Sequence, residues 1–237
     1  MNKDVEKDYA QLKEFWNAAL AMSEEDKAQL LQQIDPDADW KDVAPAAKQR
    51  DALAAMGTCR RVLDYGCGTG WGSIILAKSG VEEVVAADVA ESAVDALAVY
   101  AQAFGVADRI RPVHIDVDWL GKQPDGAFDG FFSSNVIDVV PLEMAKDIVR
   151  ETARVVAKGS PVIYSLNFHM DLDMAKQRGL TVKDRSVYME GVLRLTSLSD
   201  EEWQEIFAPY YEVQDLIFYA WPGENVEKRR LFILRRK

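Results

Sequence analysis

The sequence is poor in the residues that carry most side-chain chemistry: among 237 residues there are two histidines and two cysteines. Cys59 and Cys67 bracket a stretch that reads as an extended strand, which at about 3.3 Å per residue sets them on the order of 25 Å apart, beyond disulfide reach. They are expected to be reduced thiols. With two histidines far apart in the chain they supply no closely spaced ligand pair for zinc, and no metal is expected. Positive charge is also short: 28 Lys and Arg stand against 39 Asp and Glu, a formal net charge of −11. That balance disfavours non-specific attraction to phosphate backbones, so nucleic acid is not an expected partner. No apolar run approaches the roughly 20 residues that span a bilayer. The acidic start MNKDVEKDYAQLKEF lacks the basic-then-apolar order of a secretory leader. No membrane partner and a cytoplasmic location are the expectations.

What is present is apolar material: 49% of the residues are hydrophobic and 28% charged, enough to bury one α/β core with an extension. Val5, Tyr9, Leu12, Trp16 and Leu20 recur at helical spacing on one stripe. Ser23 with Asp26 forms a capping-box pattern for a second helix through Gln33, and Pro45 suits the first turn of a third that stops near Gly57. Residues 1–57 thus read as a helical extension or lid. From there strand and helix patterns alternate: CRRVLDY, GWGSIILAKSG, VEEVVAAD, ESAVDALAVYAQAFG, IRPVHID, FDGFFSS, PLEMAKDIVRETARVVAKG and SPVIYSLNF. This order predicts a parallel sheet. The rhythm breaks after Phe168, and residues 168–198 are too long for a plain connector, so an insertion with structure of its own is expected. A helix opened by Ser199 and Glu202 follows, then two closing strands joined by a hairpin around PGEN. The basic tail residues, Lys228 to Arg230 and Arg235 to Lys237, read as flanks of an edge strand.

The stretch VLDYGCGTGWG takes a strand into a glycine turn. A P-loop is excluded because no Lys-Ser or Lys-Thr follows the glycines. The dinucleotide spacing G-x-G-x-x-G puts Trp71, or Ser73, where a third small residue should sit. The spacing found is G-x-G-x-G, Gly66, Gly68 and Gly70, with the carboxylate of Asp64 beneath it. A pyrophosphate would be repelled there and a ligand bearing an ammonium or sulfonium favoured.

LDYGCGTG resembles motif I of the class I S-adenosylmethionine-dependent methyltransferases, and the resemblance runs from about residue 60 to the C-terminus. It implies a Rossmann-like, mostly parallel seven-stranded sheet with helices on both faces and an antiparallel last strand. The methyltransferase domain would span 58–237. The resemblance also implies the cofactor S-adenosylmethionine, held by Asp64, Tyr65, Gly66, Cys67, Gly68 and Gly70. Asp88 would bond the ribose hydroxyls, Asp116 the adenine amino group, and Val89 and Val117 would flank the ring. Asn135, in the stretch resembling the fourth motif, would stand near the reacting methyl group.

Val139 occupies the position where some relatives carry a histidine base. His169, just past the strand ending at Phe168, is the candidate catalytic residue, with an exposed loop histidine as the alternative reading; Asp171, Asp173 and Glu190 carry lower weight. His114 reads as packed or hydrogen-bonded within a strand, and Asp138 alone is a thin match to a magnesium cluster. Lys48 or Arg50 is the candidate partner of the cofactor carboxylate, and Trp16, Trp40, Tyr188 and Met189 are candidates for a lid or for simple docking of the extension.

Asn135-Val136-Ile137-Asp138 departs from the N-P-P-Y turn of nucleic-acid amino methyltransferases. The expected function is methyl transfer to O or N of a small molecule by in-line displacement. Methylation of protein or RNA, or a non-catalytic module that binds S-adenosylmethionine, are the alternatives.

Overall fold

In the computed structural model, residues 3–237 are described, with side chains from residue 5 on. The extension contains helices α1 (Lys3–Ala19), α2 (Glu24–Gln33) and α3 (Ala47–Ala54). The Ser23–Asp26 capping box at α2 forms as the sequence predicts. α3 begins after Ala46 rather than at Pro45 and ends at Ala54, short of Gly57.

The domain then runs β1 (Arg61–Tyr65), α4 (Trp71–Lys78), β2 (Glu83–Asp88), α5 (Glu91–Ala103), β3 (Ile110–His114), β4 (Gly130–Ser134), α6 (Leu142–Val155) and β5 (Pro161–Leu166). After the insertion come α8 (Asp200–Phe207), β9 (Tyr211–Tyr219) and β10 (Arg229–Arg236). Seven strands form one sheet in the order β3-β2-β1-β4-β5-β10-β9, with β10 antiparallel to both of its neighbours.

The two-residue period of the strands divides their side chains between two cores. Leu63, Val85, Phe131, Val162 and Tyr164 join the cluster that also holds α6 and α8 residues such as Val149 and Trp203. Val62, Val84, Ala86, Phe132 and Ile163 join the cluster on the other face, with Ile75 of α4 and Leu97 of α5. Asp64 shares the parity of Val62, so it points toward α4.

The insertion is a structured unit: α7 (Leu172–Gln177) and an antiparallel sheet of β6 (Thr181–Lys183), β7 (Ser186–Met189) and β8 (Val192–Thr196). Ala175, Val187 and Leu195 form its own small core. It is tied to the segment after β4 by Thr196, whose N–H donates to the Asp138 carbonyl (2.7 Å) and whose hydroxyl donates to the Val140 carbonyl (2.5 Å).

Two expectations are corrected. β10 is an interior strand, because β9 covers its outer side, so the basic tail does not flank an edge. Arg229 and Arg230 are buried, Arg230 being held by the Asn167 and Leu198 carbonyls and by Asp200. The extension is also not uniform. α1 lies across the ends of the strands, whereas α3 is built into the core: Gln49 and Leu53 are fully buried, and Gln49 donates to the hydroxyls of Ser165 and Tyr219. Trp40 packs in this second core as well. Among the described residues no helix is long and apolar enough to cross a membrane.

Leu53→Ala should therefore cost about 2–5 kcal/mol, the price of a buried leucine, as measured by urea denaturation. A loss too small to resolve would mean that α3 is not part of the core.

Candidate functional site

A cavity of about 1260 Å³ opens at the carboxyl ends of β1, β2 and β4, roofed by α1. Such a crevice at the strand ends is where open α/β sheets place ligands. Its floor is the glycine turn. Gly66 (φ 73°) and Gly68 (φ 53°) sit in the left-handed region, and a Cβ on Gly66 would come within 2.1 Å of Val136 Cγ2. At Gly68 an added Cβ would meet nothing within 4 Å, so the bare backbone faces open space.

Two buried carboxylates hold the turn. Asp88, at the end of β2, accepts from the Gly68 N–H (2.9 Å) with one oxygen and from the Ala90 N–H (2.8 Å) with the other. Burial raises its pKa against the lowering effect of these N–H donors. Asp64 lies beneath the turn and accepts from the Ser73 hydroxyl of α4 at 2.6 Å. Burial pushes its pKa up to about 7, and the nearby Asp88 adds to the rise. Both acids border the cavity, and in their ionised form they make this end of it favour positive charge.

Of the residues singled out from the sequence, Asp64, Tyr65, Gly66, Cys67, Gly68, Asp88, Val89, Val117 and Asn135 all line this one cavity. Cys67 is buried, and burial raises its thiol pKa well above the usual range, so it is not an activated nucleophile.

Gly70 does not line the cavity: it is the N-cap of α4 (φ 89°), and a Cβ there would meet Leu97 Cδ1 at 2.0 Å. Asp116 is exposed and paired with Lys122 at 3.0 Å. From its segment Ile115, Val117 and Asp118 line the cavity instead. His169 is exposed and lies outside the lining. His114, at the end of β3, is exposed too, its Nε2 3.2 Å from the Val89 carbonyl. Val139 lines the cavity with an apolar surface.

Lys48 is turned away to the Phe218 carbonyl and Glu227, and Arg50 pairs with its neighbour Asp51. Neither reaches the cavity, because α3 is seated in the core. Asp138 is fully buried with a raised pKa caused by burial, accepts from the Asn167 N–H (2.6 Å), and does not line the cavity. Its role is to hold the chain where β5 ends.

The roof comes from the apolar stripe of α1: Val5, Tyr9, Leu12, Trp16 and Leu20 all line the cavity. The helix is fixed by polar contacts on its flanks. The Ser92 hydroxyl donates to the Asn17 carbonyl (2.8 Å), Tyr188 donates to Asp8 (2.8 Å), and the Arg194 guanidinium sits 4.1 Å from the centre of the Phe15 ring. Of the candidate lid aromatics, Trp16 lines the cavity, Tyr188 anchors the roof, and Met189 is exposed. Burial, with the charges of Asp116, Asp88 and Asp118, pushes the Tyr9 phenol up to about 12, so near neutrality it is a hydrogen-bond donor and not a base.

Trp71, Trp221 and one face of α6, including Met144 and Ile148, complete the walls. Trp71 stands inside the glycine motif and was visible there as a bulky residue. Trp221 and the α6 face carry no sequence signal of a site.

Residues 62–159 match the family described as methyltransferase domain. No curated protein sequence matches the chain. Among solved structures, an S-adenosylmethionine-dependent methyltransferase from Mesorhizobium loti superposes with a TM-score of 0.61 at 18% identity, over 82% of this chain and 99% of its own. The Burkholderia thailandensis 1,6-didemethyltoxoflavin-N1-methyltransferase, solved with 1,6-didemethyltoxoflavin and S-adenosylhomocysteine bound, gives 0.63 at 20% identity, over 85% and 81%. A chain in the complex that contains the Haloferax volcanii Trm112 methyltransferase activator gives 0.62 at 17% identity, over 91% and 99%.

The raised pKa of Asp64 has a measurable sign. Between about 3.9, the ordinary value, and about 7, the folded protein keeps a proton that the unfolded chain has released. The stability contributed by the neutral acid is present below that window and is lost as pH rises through it. Asp64→Asn should flatten, in part, the fall in stability between about pH 4 and about pH 7; the remainder belongs to Asp88 and Asp138, also raised by burial. An unchanged slope in denaturant titrations would show that Asp64 is ionised throughout. Residues 62–159 thus match the methyltransferase domain family, and the chain has the Rossmann-like fold of the solved methyltransferases it superposes on.

Proposed function

We propose that the protein transfers a methyl group from S-adenosylmethionine to O or N of a small molecule. The observation that carries this reading is the Asp88 carboxylate, fixed by the Gly68 and Ala90 N–H groups at the edge of the cavity. Each of its oxygens keeps lone-pair capacity for a ribose hydroxyl. Val89 and Val117 supply apolar surfaces for an adenine ring, and the bare Gly68 backbone admits a ligand closely. The buried acids Asp64 and Asp88 suit a ligand whose amino-acid end carries an ammonium and whose sulfur is positive.

Bound there, S-adenosylmethionine would supply an electrophilic methyl group for in-line displacement. The chain's own work is alignment and exclusion of water. Neither histidine lines the cavity, Val139 is apolar, and Tyr9 holds its proton. The reading therefore withdraws His169 from the role of base.

A cavity of about 1260 Å³ exceeds the roughly 300–1,000 Å³ of a typical single-ligand pocket, which leaves space for an acceptor beside the cofactor. Trp16, Trp71 and Trp221 line the cavity, which suits a flat, largely apolar acceptor. The neighbour solved with 1,6-didemethyltoxoflavin, a small molecule, supports the same class.

Two outcomes are expected. Asp88→Ala should weaken S-adenosylhomocysteine binding by more than about 1.5 kcal/mol, over tenfold, because it removes charge-assisted hydrogen bonds; equilibrium dialysis measures this, and unchanged affinity would sink the role of Asp88. With methyl-labelled S-adenosylmethionine and fractionated cell extract, label should enter the small-molecule fraction. Label confined to RNA or protein would overturn the acceptor class, and transfer to no fraction would favour a binding module.

A further inference from the structure

Behind the cavity, where β5 and β10 lie side by side, four side chains form a chain of contacts leading to Asn135. The Arg229 guanidinium is clamped by Glu224 on two sides, Nε to Oε2 at 2.9 Å and Nη2 to Oε1 at 2.7 Å. It lies 3.4 Å from the centre of the Trp221 ring. Its Nη1 donates to Asn167 Oδ1 at 2.6 Å, and the same oxygen accepts from Asn135 Nδ2 at 2.7 Å. Trp221 and Asn135 are both cavity residues; Arg229 is not.

A guanidinium has five donors and no acceptor. The Asn167 atom it meets must therefore be the carbonyl oxygen, and the second group on that oxygen must also be a donor. This forces Asn135 to turn its NH2 toward Asn167 and leaves its Oδ1 facing away, where it accepts from the Ser134 hydroxyl at 3.0 Å and keeps a further lone pair. The Asn135 backbone is already fixed: it is left-handed (φ 56°), and its N–H donates to the Ser165 carbonyl at 2.8 Å. Rotation of the side-chain amide is the remaining freedom, and two amides facing one another have no polarity of their own; the outside groups that act on the Asn167 amide are the Arg229 guanidinium and the buried Asp138 carboxylate.

We propose that Arg229 is a positioning residue that sets this polarity. Acting through Asn167, it keeps the Asn135 oxygen free to accept from an acceptor N–H or O–H, and through its stack it ties that amide to the Trp221 wall. The proposal rests on reading the cavity as a methyl-transfer site, but its test does not need turnover.

The experiment is the ¹⁵N–¹H spectrum of side-chain amides and indoles in the full-length protein, with the Asn135 signals assigned by their loss in Asn135→Ala. In Arg229→Met the Asn135 NH2 signals and the Trp221 indole signal should leave their positions, while S-adenosylhomocysteine affinity is retained. In Arg229→Lys, whose ammonium is also donor-only, the Asn135 signals should return toward the wild-type positions and the Trp221 signal should not. Asn135 signals unmoved in a folded Arg229→Met would overturn the proposal, as would a shift that lysine fails to reverse. If Arg229→Met does not fold, Glu224→Ala releases the guanidinium from its clamp, and the same two signals should move; if they stay, the proposal fails. Loss of S-adenosylhomocysteine binding by the wild-type protein would instead count against the methyl-transfer reading.

Discussion

The bridge that Asp88 makes between two backbone N–H groups is the constraint on which the site depends. β1 and β2 are parallel neighbours; in the turn after β1 the Gly66 and Cys67 N–H groups donate to the Ala87 carbonyl, which leaves the Gly68 N–H for a side chain. One carboxylate meets the Gly68 N–H from the first turn and the Ala90 N–H from the second. That fixes the glycine turn against the end of β2 and brings Val89 beside it. Gly66 is left-handed, and a side chain there would collide with Val136 in the segment after β4.

Burying that carboxylate beside a second one, Asp64, leaves two acids in low-dielectric surroundings with hydrogen bonds from N–H and O–H groups and no cationic side chain in direct contact. Both are consequently harder to ionise than an exposed acid, and burial is the main cause in each case. A ligand bearing an ammonium, as the proposed function requires, would complement them. The chain's own cations at the cavity are Lys13, Lys122 and Arg150; Lys122 is paired with Asp116, and Arg150 with Asp147 and Glu151.

Local signals in the sequence disclosed the floor of this site, and for a physical reason. The turn from Asp64 to Gly68 and the acid closing β2 are set by short-range rules: strand period, left-handed glycine positions and a charge beneath a turn. The stripe on α1 and the insertion were legible in the same way, as periodicity and as an overlong connection. The walls were not. Trp221 reaches the cavity because β10 pairs with β5, bringing the 220s hairpin beside the end of β4 across more than one strand, and no local pattern announces that pairing. The reading of an edge strand at the basic tail failed on the same point, since β9 folds back to cover β10. Lys48 and Arg50 were near the site only along the chain; α3 buries Gln49 and Leu53 and so turns its charges outward. Asp116 was legible as the end of a strand, but a nearby lysine, Lys122, takes its carboxylate away from the cavity.

The central claim is that a strand, a glycine turn and two buried acids form a site for an adenosine derivative with an amino-acid end and not for a dinucleotide. The most direct measurement is calorimetric titration of the protein with S-adenosylhomocysteine and, separately, with NADH. Saturable binding of S-adenosylhomocysteine with no heat from NADH is the expected result. Binding of NADH with none of S-adenosylhomocysteine would contradict it, because it would mean that the acids beneath the turn tolerate a pyrophosphate.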